Sequence, residues 1–355
     1  MFEPPRCPNT SCPRHRSPRP RFYHRNGHYH PKCRPHPVPR FRCRTCRRGF
    51  SRQTFRMDYR DHRPDLNPKL FLYLASGLGL RQSARLLGLT LRCTELKFRK
   101  IARHLGHLNL TLRRPLTGNA SFHFDELETY EGRRNTRPLT LPLLIESESR
   151  FFVWAESAPI RPRGKMSKPR RRAIEEDRQR YGPRRDRSRR ACLRTLRRGR
   201  SLCGAGSPVR LHTDEKSTYP QLARRVFGAR RLVHLRTPGV LPRTVWNPLF
   251  PVNHSEASMR DLMGRLRRES WLVSKQGWCL DLHLQLFMAY RNYVRRRFNR
   301  DHESPAQLLG FVPRRMKPTE VLSWRQDWGA RSVHPLARRA ESIAAWREHR
   351  PRVAA

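Results

Sequence analysis

Three acids sit where they could do chemistry together. Asp125 follows the apolar stretch Ser121–Phe124, Asp214 follows Pro208–His212, and Glu256 closes Asn253-His254-Ser255-Glu256 at the head of an amphipathic run. Carboxylates are hard oxygen donors suited to Mg2+ or Mn2+. A triad of them can hold two ions about 4 Å apart, one beside the attacking water or 3′-hydroxyl and one beside the leaving oxygen of a phosphodiester. Glu126 and Glu215 directly follow the first two acids, so the register stays open between Asp125 and Glu126 and between Asp214 and Glu215. Taken singly, each acid has a plain structural use: Asp214 as a turn residue before Lys216, Glu256 as a complement to a helix N-terminus. Their joint placement in a chain poor in acid favours catalysis. His212 and His254 lie near by, and an incidental surface role for them outweighs proton transfer.

A second constellation is made of thiols. Cys7-x4-Cys12 is followed after thirty residues by Cys43-x2-Cys46, the latter between Phe41 and Phe50 with Gly49 to permit the turn. Two such pairs close a tetrahedral zinc site, and the metal then substitutes for a core that the Pro-, Arg- and His-rich residues 1–60 lack. Cys33, His24, His28, His30 and His36 are alternative donors beside the looser first pair. Cys93, Cys192, Cys203 and Cys279 read as buried or idle thiols.

Composition bounds the partner. With 77 Lys+Arg against 28 Asp+Glu, the 355-residue chain carries a formal charge of +49. Charge of this size points to a polyanion, nucleic acid first, because each cation that meets a phosphate releases a counterion. The opening residues lack a charged segment followed by an apolar run, and Leu70–Leu80 is too short to span a bilayer. A soluble, intracellular protein is therefore expected, with thiols in place of disulfides.

The elements that position these groups follow from periodicity. Residues 66–106 repeat Leu, Phe, Ile and Ala at helical spacing, broken at Gly77, Gly79 and Gly88-Leu89-Thr90. This predicts a short helix, a helix over 80–87, a tight turn and a helix over 91–104, which is the helix-turn-helix pattern. The proposed recognition helix offers Arg92, Thr94, Lys97, Arg99 and Lys100 to bases and phosphates. After a linker at 109–119 come short strands at 121–124, 139–146 and 151–155, which read as an antiparallel meander. Residues 161–200 hold 18 Lys/Arg and four acids, with a loop over the first part and a helix over 188–198. A strand at 208–212, a helix at 219–226 and a strand at 231–235 follow. Helices at 255–269 and 280–297 then precede a terminal surface helix or tail.

This order, with acids after the first and fourth strands and on the last helix, resembles the ribonuclease H-like fold. With a zinc ribbon and helix-turn-helix in front, the chain resembles the DDE transposases of bacterial insertion sequences. The resemblance rests on Phe124-Asp125-Glu126-Leu127-Glu128, on His212-Thr213-Asp214-Glu215-Lys216 with Tyr219, and on Asn253 to Glu256 followed by Met259-Arg260, Gly264-Arg265 and Leu272 to Lys275. It covers roughly residues 5–300; the basic insert 161–200 departs from the family pattern.

The resemblance implies an α/β (α+β) chain in four parts: a zinc-ribbon-like module at 1–60, a helix-turn-helix domain at 61–108, a catalytic domain at 119–300 with the insert 161–200, and a basic extension at 301–355. It implies that Asp125, Asp214 and Glu256 hold Mg2+ or Mn2+, that Cys7, Cys12, Cys43 and Cys46 hold Zn2+, and that Arg260, Arg265, Arg268 and Lys275 contact the transposon end. The expected partners are double-stranded DNA (terminal inverted repeats and target) and further copies of the chain, in the bacterial cytoplasm on the nucleoid. A DNA-binding regulator or decayed transposase without catalysis is the competing expectation, and a nuclease for RNA–DNA hybrids a weaker one.

Overall fold

The computed structural model describes residues 3–32, 36–116, 118–267 and 271–324. Cys33, Arg268 and the expected terminal helix or tail lie outside the described residues.

The N-terminal module contains α1 (Pro13–Arg16), β1 (Tyr23–Tyr29), β2 (Val38–Cys43) and β3 (Gly49–Ser51), the strands forming an antiparallel sheet in sequence order. Its core is Phe22, Phe41, Phe50 and Phe55 around cysteines. Four aromatic rings are too little burial for an independent fold of this length, so the cysteines must supply the rest. The turn between the last two cysteines and β3 is made by Arg47 at φ +60°, not by Gly49, which opens β3.

Three helices follow: α2 (Asn67–Ala75), α3 (Leu80–Leu87) and α4 (Leu91–Thr111). Gly88 takes φ +61° and ends α3. Thr90 caps α4, its hydroxyl accepting from the Cys93 N–H at 3.2 Å. The helix runs past its expected end at 104 because Ile101, Leu105 and Leu108 extend the apolar stripe, all three fully buried. Asn109 is therefore helix, not linker, and its Nδ2 donates to the Gln285 carbonyl at 2.9 Å. Leu70, Phe71, Ile101 and Leu105 share one core with Phe122, Phe124, Leu286 and Tyr293 of the larger body. The helical segment is thus built into that body.

The larger body has a six-stranded mixed sheet with helices: β4 (Ala120–Tyr130), β5 (Pro138–Glu146), β6 (Phe152–Ala155), β7 (Ala158–Pro159), β8 (Val209–Asp214) and β9 (Leu232–Thr237). The order is β6-β5-β4-β8-β9, with β7 added on β5. β4–β5 and β5–β6 are antiparallel; β4–β8 and β8–β9 are parallel. β4 does not stop at the acids, as its loss of apolar residues predicted. It continues to Tyr130, paired residue by residue with β5 from Phe122↔Glu146 to Tyr130↔Pro138. β5 is buried along nearly its whole length, and its ladder holds the polar half of β4 extended.

Around the sheet lie α5 (Lys168–Tyr181), α6 (Ser188–Arg200), α7 (Tyr219–Phe227), α8 (Phe250–Leu262), α9 (Gly277–Ala289), α10 (Pro305–Leu308) and α11 (Pro318–Ser323). α5 forms where the sequence reads as a loop; Ser167 caps it and it buries no residue. α6 turns Ala191, Cys192 and Leu196 inward. α8 starts five residues before its expected start, with Pro251 in its first turn, and ends at Leu262, where Met263 turns extended. Among the described residues, no helix is long and apolar enough to cross a membrane.

Candidate functional site

The parallel ladder of β4 and β8 brings the first two acids together. It pairs His123 with His212, whose rings stack at 4.5 Å. Two residues further along each strand, on the same face, stand Asp125 and Asp214. α8 packs on that face: Val252 and Met259 share a core with Leu127 and Leu141. Glu256 belongs to the buried stripe Val252, Ser255, Glu256, Met259, whose i, i+3, i+4, i+7 spacing turns it toward the sheet. Asp125, Asp214 and Glu256 line one cleft of about 440 Å³, together with Lys216, Arg243 and Arg260.

Glu126 and Glu215 have different surroundings. Glu126 leaves β4 on the other side from Asp125 but also borders the cleft. Its Oε1 accepts from Lys216 Nζ at 2.5 Å and Tyr219 Oη at 3.1 Å, and its Oε2 from Thr140 Oγ1 at 2.6 Å. Burial pulls its pKa up, but the Lys216 and Thr140 bonds and the Lys216 charge hold it below the usual value. Both its oxygens are engaged in tying β4 and β5 to the start of α7. Glu215 is exposed. Asp125 Oδ1 takes the Glu126 N–H and Asp214 Oδ1 takes the Lys216 N–H, at 2.7 and 3.0 Å.

Burial, with the charges of Asp214 and Glu126, pushes Asp125 up to about 6. Glu256 is pushed up to about 8 by burial and by Asp125, against the pull of Arg260 and Arg243. Among the described residues its Oε1 is buried without a hydrogen-bond partner, and Oε2 has only Arg260 Nη1 at 3.6 Å. Two buried carboxylates that repel each other, one with an orphaned oxygen, are poorly served by protein groups alone. This donor set fits hard divalent cations. The three carboxylates do not converge to the spacing of a one-ion site, which among the described residues only the cysteine cluster reaches.

Cys7, Cys12, Cys43 and Cys46 bring their sulfurs within 4.8 Å of one another, and the first three are buried. Cys7 and Cys46 Sγ are 3.4 Å apart, Cys12 and Cys43 Sγ 3.9 Å. A tetrahedron with metal–sulfur bonds of about 2.3 Å has edges of about 3.8 Å. The cluster can therefore hold a metal ion such as zinc. Cys7 is raised by burial; Cys46 is brought down to about 7 in spite of burial, by bonds from the Arg48 backbone and neighbouring side chains. His24, His28 and His30 are not in the cluster. Of the other thiols, Cys192 and Cys203 are buried, and Cys93 and Cys279 are half-buried.

The residues expected to meet DNA divide. Arg92 on α4 and Lys275 are exposed, and Arg99, Lys100 and Arg260 are partly exposed. Lys100 Nζ donates to the Tyr59 carbonyl at 2.8 Å, and Arg99 lies 5.1 Å over the Trp278 ring. Thr94 and Lys97 require correction. Thr94 is fully buried, its hydroxyl donating to the Thr90 carbonyl. Lys97 is turned inward, with Nζ 2.6 Å from Asp61 Oδ1, 2.7 Å from the Arg63 carbonyl and 3.1 Å from Asn67 Oδ1. Both occupy the buried side of α4, which helical spacing alone did not distinguish from its outer side. Arg265 is held inward, Nη1 on Ser274 Oγ at 3.3 Å and the guanidinium over Phe98. His212 stacks on His123 below the acids, and His254 packs between Phe250 and Phe298.

Sequence reasoning missed Arg243, which enters the cleft from the loop before α8, and Arg163, which enters from the basic insert. Neither has a local signal: each is one arginine among many. Comparison of the chain with protein-family models and with curated proteins gave no match.

Proposed function

We propose that this chain is a DDE-type DNA transposase. It binds the ends of an insertion sequence, cleaves the phosphodiester backbone with Mg2+ or Mn2+, and joins the freed 3′ end to target DNA. The observation that carries this reading is the meeting of Asp125, Asp214 and Glu256 in one cleft beside Arg243 and Arg260, with Glu256 Oε1 unpartnered. The sheet order β6-β5-β4-β8-β9, whose first three strands are antiparallel and last two parallel to the first, is that expected of a ribonuclease H-like domain. The cluster of four sulfurs and the sheet around it support a zinc-ribbon module, and α3, Gly88 and α4 a helix-turn-helix.

Asp125, Asp214 and Glu256 would hold the divalent ions, which when bound supply an activated nucleophile and stabilise the leaving oxygen. Arg243, Arg260 and Arg163 offset the phosphate's charge at the rim. Glu126, locked to Lys216, Tyr219 and Thr140, positions the strand that carries Asp125. The partners are the transposon's terminal repeats, target DNA and a second copy of the chain, since two ends are joined in one event.

The test is divalent-metal-dependent cleavage of the DNA flanking this gene. Asp214→Asn and Glu256→Gln are each expected to lower cleavage by about 100-fold or more, several kcal/mol of barrier, while binding persists. Cleavage unchanged in both variants would leave the competing reading, a DNA binder without catalysis.

A further inference from the structure

Beside the carboxylate cleft lies a second concavity of about 460 Å³, lined by Arg134, Arg161, Arg163, Arg170, Arg260 and Arg267 with one acid, Glu128. The two share a wall: Glu128, Ile160, Arg163 and Arg260 line both. We propose that this arginine groove seats the sugar-phosphate backbone that flanks the reacting phosphodiester, so that one strand passes from the carboxylates over Arg163 and Arg260 into the groove. This rests on the carboxylate cleft being a phosphodiester site.

Two features argue for a built surface. Arg170 spends its guanidinium on main-chain carbonyls, those of Asn135, Lys165 and Arg163 at 3.2, 3.0 and 2.9 Å. It thereby folds the 161–170 arm onto the β4–β5 turn and sets Arg161 and Arg163 on the groove wall. Arg267, from the segment after α8, is fixed on the far side by the Asp261 carbonyl at 3.0 Å. Three separate stretches therefore converge like charges on one hollow. Arg163 has Asp186 at 3.5 Å and Arg260 has Glu256 at 3.6 Å, and the positive charge left over favours a polyanion. The guanidinium fork matches phosphate oxygens, and each phosphate it neutralises releases a counterion.

The experiment titrates the full chain, without divalent ions, against a short DNA duplex and its single strand over a range of salt. Arg161→Gln with Arg163→Gln is expected to flatten the plot of log affinity against log salt by about 0.9 for each duplex phosphate left without its arginine, or about 0.7 for each such phosphate of the single strand. Arg171→Gln with Arg172→Gln removes the same charge from the outer face of α5 and is expected to change nothing. Equal flattening by both pairs, or none by the first, overturns the proposal. So does groove-dependent binding of anionic phospholipid vesicles with DNA binding unaltered. Arg161→Lys with Arg163→Lys keeps the charge and is expected to keep the slope; a flattened slope there would mark misfolding and count against the groove. The metal-free titration reads binding alone, so a wild-type chain that binds through the groove yet does not cleave once Mg2+ or Mn2+ is added sinks the transposase reading alone.

Discussion

At the scale of one residue, the proposed function sets stability against activity at Glu256. Its carboxyl is buried beside Asp125 and raised to about 8. At pH 8 the folded chain must hold a charge that the unfolded chain carries easily. Glu256→Gln is therefore expected to stabilise the metal-free protein at pH 8 by about 1–3 kcal/mol, measured by denaturant unfolding, as it loses cleavage. A destabilised variant would mean that the carboxylate has protein partners sufficient for its charge. Lys97 shows the opposite case. Its ammonium is buried against Asp61, so Lys97→Met is expected to cost about 3–5 kcal/mol by stranding that aspartate. The same variant should leave the salt slope of DNA binding unchanged, whereas exposed Arg92→Gln should lower it by about 0.9 if it meets a phosphate.

At the scale of elements, buried histidines join α9 to α2 and α4 to α11. His283 Nε2 bonds the Leu74 carbonyl at 2.9 Å and His104 Nε2 the Val321 carbonyl at 2.8 Å. Burial lowers His283 to about 3 and His104 to about 4. Both are neutral in the folded state, while the unfolded chain binds protons below about 6.5. Their contribution to stability is thus full above 6.5 and falls as pH drops toward 4, by about 1.4 kcal/mol per unit for each histidine, while the raised Asp125 and Glu256 carboxyls contribute in the opposite direction. Thermal melts of the wild type and His283→Asn between pH 7 and pH 4 check this: the stability of the wild type relative to the variant should fall with pH, and a constant difference would remove His283 from the dependence. The strand β4 carries a different lesson. Its apolar half was legible as a strand; its acidic half was not, because the ladder to β5 supplies what local composition lacks.

The whole molecule combines two kinds of stabilisation. The N-terminal module leans on four sulfurs and a few rings; the remainder leans on a core that runs from α2 and α4 through the sheet to α9. Removing metal with a chelator is expected to unfold residues 3–60, exposing them to protease, while the six-stranded body keeps its cooperative melt. Loss of both together would show that the module is integral to the larger core. Lys and Arg outnumber Asp and Glu by 77 to 28, and the arginine groove and the carboxylate cleft share the wall of Arg163 and Arg260.

The sequence alone determined the existence and order of most elements, the cysteine pairs and the three acids as candidates. Helical and strand periods, caps and turn residues act over a few neighbours, and so can be read locally. Tertiary structure decided which side of each element is inside. It turned Asp125 toward α8 and Glu126 toward Tyr219, drew Lys97 and Thr94 into the interior, and brought Arg243 and Arg163 to the cleft from distant loops. Burial and charge pairing depend on what packs opposite, and that partner lies tens or hundreds of residues away along the chain.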